Sequence, residues 1–423
     1  MAEAKIIPDD LLRQIIGVGQ VDVLLGLATS DHASTVGPLV TAARAGLQSA
    51  FSRLRVALLQ VDQVSADGSQ EAVLHAWMPR DAGARAGLRT THYLCAATDH
   101  VSDGDVARLM LAAGDLLQAR AIVVLDADVE PEGPGEVASL ISHVWTDGAD
   151  LVAPVYVRGA ADGLLVTQIV RPLTGAVFSR RLAEPLIPAF ACSGRFASHC
   201  TQAAWSTSHE QRATSYWVAT EALAGAFDVR QHAFGPRRVH KRRPTRTLQD
   251  LFGTVLTSAF SCIESHAGTW LARGDAADLP CAPEVGQADG PPVAEEVPGL
   301  LQSFADDIRN LETILRSILA PATLAAVQAA SLDPAGARYP DALWADTLTD
   351  FLAAFHHGVM RRDHITQALL PLYRARSGAF LHERANEPDV PVQAALDALA
   401  ACVERGRPRL VERWTHQHEV QHG

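Results

Sequence analysis

The chain has 423 residues, 48% of them hydrophobic and 20% charged, enough for two or three domains with a sizeable core. Its formal net charge of −12 excludes a general nucleic-acid-binding surface, which needs the opposite sign. Its six cysteines are scattered with no C-x-x-C pair and indicate neither a zinc site nor a disulfide framework. The N-terminal MAEAKIIPDDLL lacks the basic-then-apolar order of a signal peptide, and no apolar run approaches the ~20 residues of a membrane span. The expectation is a soluble, cytoplasmic protein.

In chain order, VDVLLGLAT (21–29), RVALLQVD (55–62) and AIVVLDAD (121–128) have the continuous apolar character of strands covered on both faces. TVGPLVTAARAGLQSA lies between the first two. DVARLMLAAGDLLQA precedes the third, with Val106, Leu109, Met110, Ala113, Leu116 and Leu117 at helical spacing on one face. The helix EVASLISHVW and a strand DLVAPVYV (150–157) follow. This alternation predicts a mostly parallel sheet with helices on its faces, a Rossmann-like α/β layer over about residues 20–160. Residues 205–230 return to helix, continued by LQDLFGTVLTSAFSCIE. LPCAPEVGQADGPPVAEEVPG (279–299) is rich in Pro, Gly and acids and marks a linker or surface loop. Helical periodicity dominates thereafter. The expected division is residues 1–278, the linker, and a helical C-terminal extension over 300–423. The apolar stripes of the last helices predict either packing within the chain or a homo-oligomer.

The third strand ends in two acids, Asp126 and Asp128, one residue apart. In open α/β sheets ligands sit outside the carboxyl ends of the strands. Two carboxylates there can reach one hard divalent cation, Mg²⁺ or Mn²⁺, which bridges diphosphate oxygens. The bland alternative is a solvated turn ahead of a helix. His240, in RRVHKRRPTR, is either a histidine in a basic loop or, as a neutral imidazole, a third ligand to that cation. Around it Arg237, Arg238, Lys241, Arg242 and Arg243 concentrate positive charge that suits a diphosphate, and Lys241, beside the histidine, is the candidate put forward.

These segments resemble, in blocks spread over most of the chain, the glycosyltransferases that make mannosylglycerate and glucosyl-phosphoglycerate, which have the GT-A fold. The likeness is carried by VVLDADVEP, by GADLVAPVYVRGAADG with Asp150, Pro154, Tyr156, Arg158, Asp162 and Gly163, by RPLTGAVFSRRLAEPL, by ALAGAFDVRQHAFGPRRVHK, and by the PLYRAR of the C-terminal helices. The resemblance implies a GT-A-like catalytic domain and a nucleoside-diphosphate sugar as donor. It further implies a small acceptor and transfer of a hexose with retention. Asp126, Asp128 and His240 would hold the metal, and Asp126, Arg158 and Lys241 would face substrate. The family's acid at the first strand, holding base or ribose, finds Asp31 in LATSDHAS as substitute. Asp62, ending RVALLQVD, is a second nucleoside candidate. Either is equally a cap or turn acid.

The chain departs from the family at four places. GLRTTHYLCAATDHVSDGD contains no lysine where the family has one against the nucleotide; Arg89 serves only if the alignment shifts. LLVTQI replaces threonines that hold a carboxylic acceptor. Ala189 stands at one acid of the acceptor site and Ser215 at another, with Glu221 a carboxylate six residues after the latter. Two readings follow: a metal-dependent hexosyltransferase with a different acceptor, or a degenerate relative that binds a nucleotide or a protein partner without chemistry.

Overall fold

The structure is a computed structural model that describes residues 6–79, 88, 90–99, 101–203, 208–240, 247–283, 286, 304–332, 338–387 and 389–416. The chain forms two compact units. The first comprises Met1–Val157, Leu186–Arg243 and Leu279–Gly286, the second Arg158–Pro185, Pro244–Asp278 and Gln287–Gly423. Segments 158–185 and 244–278, expected with the sheet, thus group with the C-terminal helices. Most of the expected linker lies outside the described residues. Its first residues belong to the sheet unit, where Gln231 donates its N–H to Pro280 O (2.8 Å).

The first unit is built on a seven-stranded sheet. Its strands are β1 (Val23–Thr29), β2 (Arg55–Asp62), β3 (Thr90–Ala97), β4 (Ala121–Leu125), β5 (Leu151–Val157), β6 (Phe190–Ser193) and β7 (Val229–Pro236). The order is β3-β2-β1-β4-β6-β5-β7, parallel throughout except for β6, which runs antiparallel to both β4 and β5. The mostly parallel sheet flanked by helices is the architecture expected from the alternation. β4 and all but one residue of β1 are buried, as strands covered on both faces must be.

Three strands were not expected. β3 (TTHYLCAA) is an edge strand whose first four residues are only half-buried. β6 is four residues long, and β7 (VRQHAFGP) carries polar side chains on a sheet edge. The span 205–230, expected to be helical, holds the helix Tyr216–Ala224 and then the first two residues of β7. On the helix Asp103–Leu116 the predicted face is buried apart from Leu116, which is 51% exposed. Asp150 joins three strand ends. It accepts from Ser193 Oγ (2.8 Å), Arg195 Nε (3.1 Å) and Asp228 N (3.0 Å), so its carboxylate ties the sheet together.

β1 pairs with β2 on one side and with β4 on the other, so the chain reverses direction across the sheet between β1 and β4. The carboxyl ends of these two strands border the crevice where open α/β sheets bind ligands.

The second unit is mainly helical. Its core includes the fully buried Trp344, whose Nε1 donates to Gln168 O (2.6 Å), and the buried Arg376. Arg376 donates to Gln168 Oε1 (3.0 Å), Tyr339 O (2.7 Å) and Asp341 Oδ1 (2.6 Å), so its charge is paired and hydrogen-bonded. Among the described residues no helix is long and apolar enough to cross a membrane.

Candidate functional site

β4 stops at Leu125, and the two acids lie in the turn beyond it rather than in the strand. Asp126 Oδ1 accepts the N–H of Asp128 (3.0 Å), an Asx turn that bends the chain out of the sheet. The chain then pairs with the segment leaving β7. Val129 bridges antiparallel to Val239, Glu130 N donates to Arg238 O (2.9 Å), and His240 N donates to Asp128 O (2.9 Å). This short ladder brings the backbone of Asp126, Asp128 and His240 together across more than a hundred residues of sequence.

The side chains meet different partners. Asp126 is 14% exposed, and its Oδ2 pairs with Arg237 Nη2 (3.0 Å). Burial pushes its carboxyl above the usual range; Arg237 opposes that shift and the Asp128 charge adds to it. Asp128 is half exposed, and its Oδ1 lies 3.0 Å from His32 Nε2. His240 Nδ1 lies 3.4 Å from Glu130 Oε1. Among the described residues no group of three or more His, Cys, Asp or Glu side chains converges as around a metal ion. The donor set nevertheless fits a hard divalent cation in kind. It offers two carboxylates and an imidazole on adjoining backbone, one of the carboxylates buried where positive charge lowers its cost.

A cavity of about 20 Å³ adjoins Asp126, lined also by Leu125, Val129, Glu136, Tyr156 and Ala189. It has room for one water and none for a sugar. Glu136, like Asp126, is held above the usual carboxyl range by burial. Ala189 faces this cavity, so an acid in its place would add a third carboxyl to a poorly solvated place. Ser215 is buried and donates through Oγ to Leu186 O. Glu221 is paired with His199 Nε2 (3.0 Å).

The two nucleoside candidates meet in one loop cluster beside β1. Asp62 is buried, and its carboxylate accepts from Thr29 Oγ1 (2.7 Å), Ser65 Oγ (2.6 Å) and Ser65 N (3.0 Å). Asp31 is exposed with φ of 56°, and its Oδ1 accepts from Ala66 N (2.9 Å). Both shape the loop after β2. Arg158 belongs to the second unit. There it forms a bidentate pair with Glu184, Nε to Oε1 2.7 Å and Nη2 to Oε2 2.5 Å. Lys241 and Arg89 lie outside the described residues.

Two neighbours of the acids carry no local mark of that contact. Arg237 sits in the basic cluster, where nothing in the sequence distinguishes it from its neighbours. His32 stood in the β1 loop without any local signal of its contact with Asp128.

No protein-family model and no curated protein matches this chain. Among solved structures, it is similar to glucosyl-3-phosphoglycerate synthase from Mycobacterium tuberculosis in complex with phosphoglyceric acid. The identity is 17% over 63% of this chain and 86% of that one, with a TM-score of 0.42. The complex of that synthase with Mn²⁺, uridine-diphosphate-glucose and phosphoglyceric acid is similar at 16% identity, over 61% and 83% of the two chains, with a TM-score of 0.42. A structure described as a mycobacterial protein is similar at 18% identity, over 66% and 84%, with a TM-score of 0.43.

Proposed function

We propose that this chain is a GT-A-like, divalent-cation-dependent glycosyltransferase that moves a hexose from a nucleoside-diphosphate sugar to a small acceptor, with retention. The observation that carries the reading is the ladder beyond β4. It joins Asp126, Asp128 and His240 in one backbone cluster at the end of the strand beside the switch point. In this reading those three residues hold Mg²⁺ or Mn²⁺, whose charge would neutralise the departing diphosphate. Asp126 also faces the donor, and Arg237 and Lys241 add positive charge for the diphosphate. Asp31 contacts the nucleoside, and Asp62 keeps its loop in shape. Retention leaves the departing diphosphate available to help activate the acceptor, so the replacement of acids by Ala189 and Ser215 changes the acceptor without removing the chemistry. The same reading includes a cytoplasmic location and self-association, the latter checked by light scattering at micromolar concentration, where a monomer mass would remove it.

A second reading has a specific observation in its favour. Asp126 is already paired with Arg237, which supplies positive charge without a metal. A protein that binds a nucleotide or partner without catalysis would show that pairing. Calorimetric titration with a panel of nucleoside diphosphates, with and without Mn²⁺, separates the two. The expected result is Mn²⁺-dependent binding of one of them, and release of that nucleoside diphosphate from its sugar conjugate as the hexose passes to an acceptor or to water. Asp128→Ala should abolish that binding, and His240→Ala should weaken it by removing one of several ligands. Binding unchanged in both variants, or no binding with any nucleotide, overturns the transferase reading.

A further inference from the structure

We infer that His32 is the positioning residue for Asp128, holding its carboxylate in place across the crevice between β1 and β4. This rests on the metal site proposed above. His32 follows β1, Asp128 follows β4, and those strands border the switch point, so the contact joins the two sides of the crevice.

The ring is held at both nitrogens. Ser30 N–H donates to His32 Nδ1 (2.8 Å), so Nδ1 is an acceptor and the hydrogen of the neutral ring sits on Nε2. Nε2–H then donates to Asp128 Oδ1 (3.0 Å). With only 8% of its side chain exposed, the imidazole has little room for another rotamer. Its backbone is tied as well. His32 N–H donates to Ser69 Oγ (2.7 Å), and Ser69 Oγ donates to Asp67 Oδ1 (2.5 Å). The ladder fixes the Asp128 backbone, and the hydrogen bond from His32 fixes one oxygen of a carboxylate that is half exposed. Ordering that carboxylate before the cation arrives removes an entropy cost from binding, as outer partners do for metal ligands generally.

The test measures Mn²⁺ alone, by the loss of the free-ion electron paramagnetic resonance signal, on the full chain without turnover. His32→Ala should weaken Mn²⁺ binding about 10–100-fold. His32→Gln, whose amide nitrogen reaches the position of Nε2, should recover most of it, and His32→Asn, which is too short, should not. The Gln and Asn pair decides the question should the Ala variant fail to fold. Wild-type affinity in His32→Ala or His32→Asn, with the wild type binding Mn²⁺, overturns this inference and leaves the transferase reading standing. A wild type that binds no Mn²⁺ overturns both. A lowered melting temperature in metal-free His32→Ala with unchanged Mn²⁺ affinity makes His32 a structural tie and also overturns it.

Discussion

Asp126 and Asp128, separated only by Ala127, meet opposite surroundings, one buried against Arg237, the other half in water against His32. Residue type alone does not separate their roles; the partner does. The same holds for His232 on β7, whose Nδ1 lies 2.9 Å from Nε2 of His143, itself bonded through Nδ1 to Asp147 Oδ2 (3.0 Å). Burial lowers the His232 pKa, and the His143 charge lowers it further. A depressed folded-state pKa means that the unfolded chain takes up a proton first as pH falls. The stability tied to His232 is therefore fully present above the unfolded value of about 6.5 and is lost as pH drops toward the folded value. Urea unfolding at pH 7.5 and pH 5.5 should show a smaller loss of stability in His232→Gln than in the wild type. An equal loss in both proteins would rule out this histidine as the source.

At the scale of elements, the turn bearing the acids depends on how closely the helix Val36–Ala50 approaches it. A methyl group at Gly46 would lie 1.9 Å from the Pro134 carbonyl oxygen, so the absence of a side chain there lets the helix seat the connection between β4 and the helix Gly135–Trp145. Gly46→Ala gains helix propensity on a helix but must push that backbone away. A net destabilisation of about 1–3 kcal/mol is expected from such overpacking. Urea denaturation measures it, and a stabilised variant would refute the packing argument. In the proposed metal site the displaced connection carries two of the ligands, Asp126 and Asp128, so the same variant should also bind Mn²⁺ more weakly.

For the whole molecule, net charge decides what is excluded. With a charge of −12, the chain repels polyanions except where arginines are concentrated, as at Arg237 and Arg238. At pH 7.5 and low salt it should be retained on an anion exchanger and pass through heparin. Retention on heparin would show that the basic cluster presents a polyanion surface larger than one diphosphate. Apolar stripes of the C-terminal helices are used inside the second unit, where Trp344, Phe351 and Phe355 on one helix are all fully buried.

The sequence by itself determined the interior of the sheet. β1, β2, β4 and β5 are apolar runs long enough to be buried on both faces, and burial of that kind is written locally. It also determined that two acids stand where this apolar run breaks off, an abrupt end visible without a structure; the structure decided that they lie in the turn beyond β4 and not in the strand. Tertiary structure alone decided the remainder. β3, β6 and β7 are short or partly polar segments whose hydrogen-bonding partners come from distant parts of the chain, so no local period announces them. Arg237 and His32 reach the acids over sequence separations of 111 and 96 residues, through side-chain contacts that exist only once β1, β4 and β7 share one sheet. Residue type and spacing specify which chemistry is available; the order of strands decides which of those groups meet.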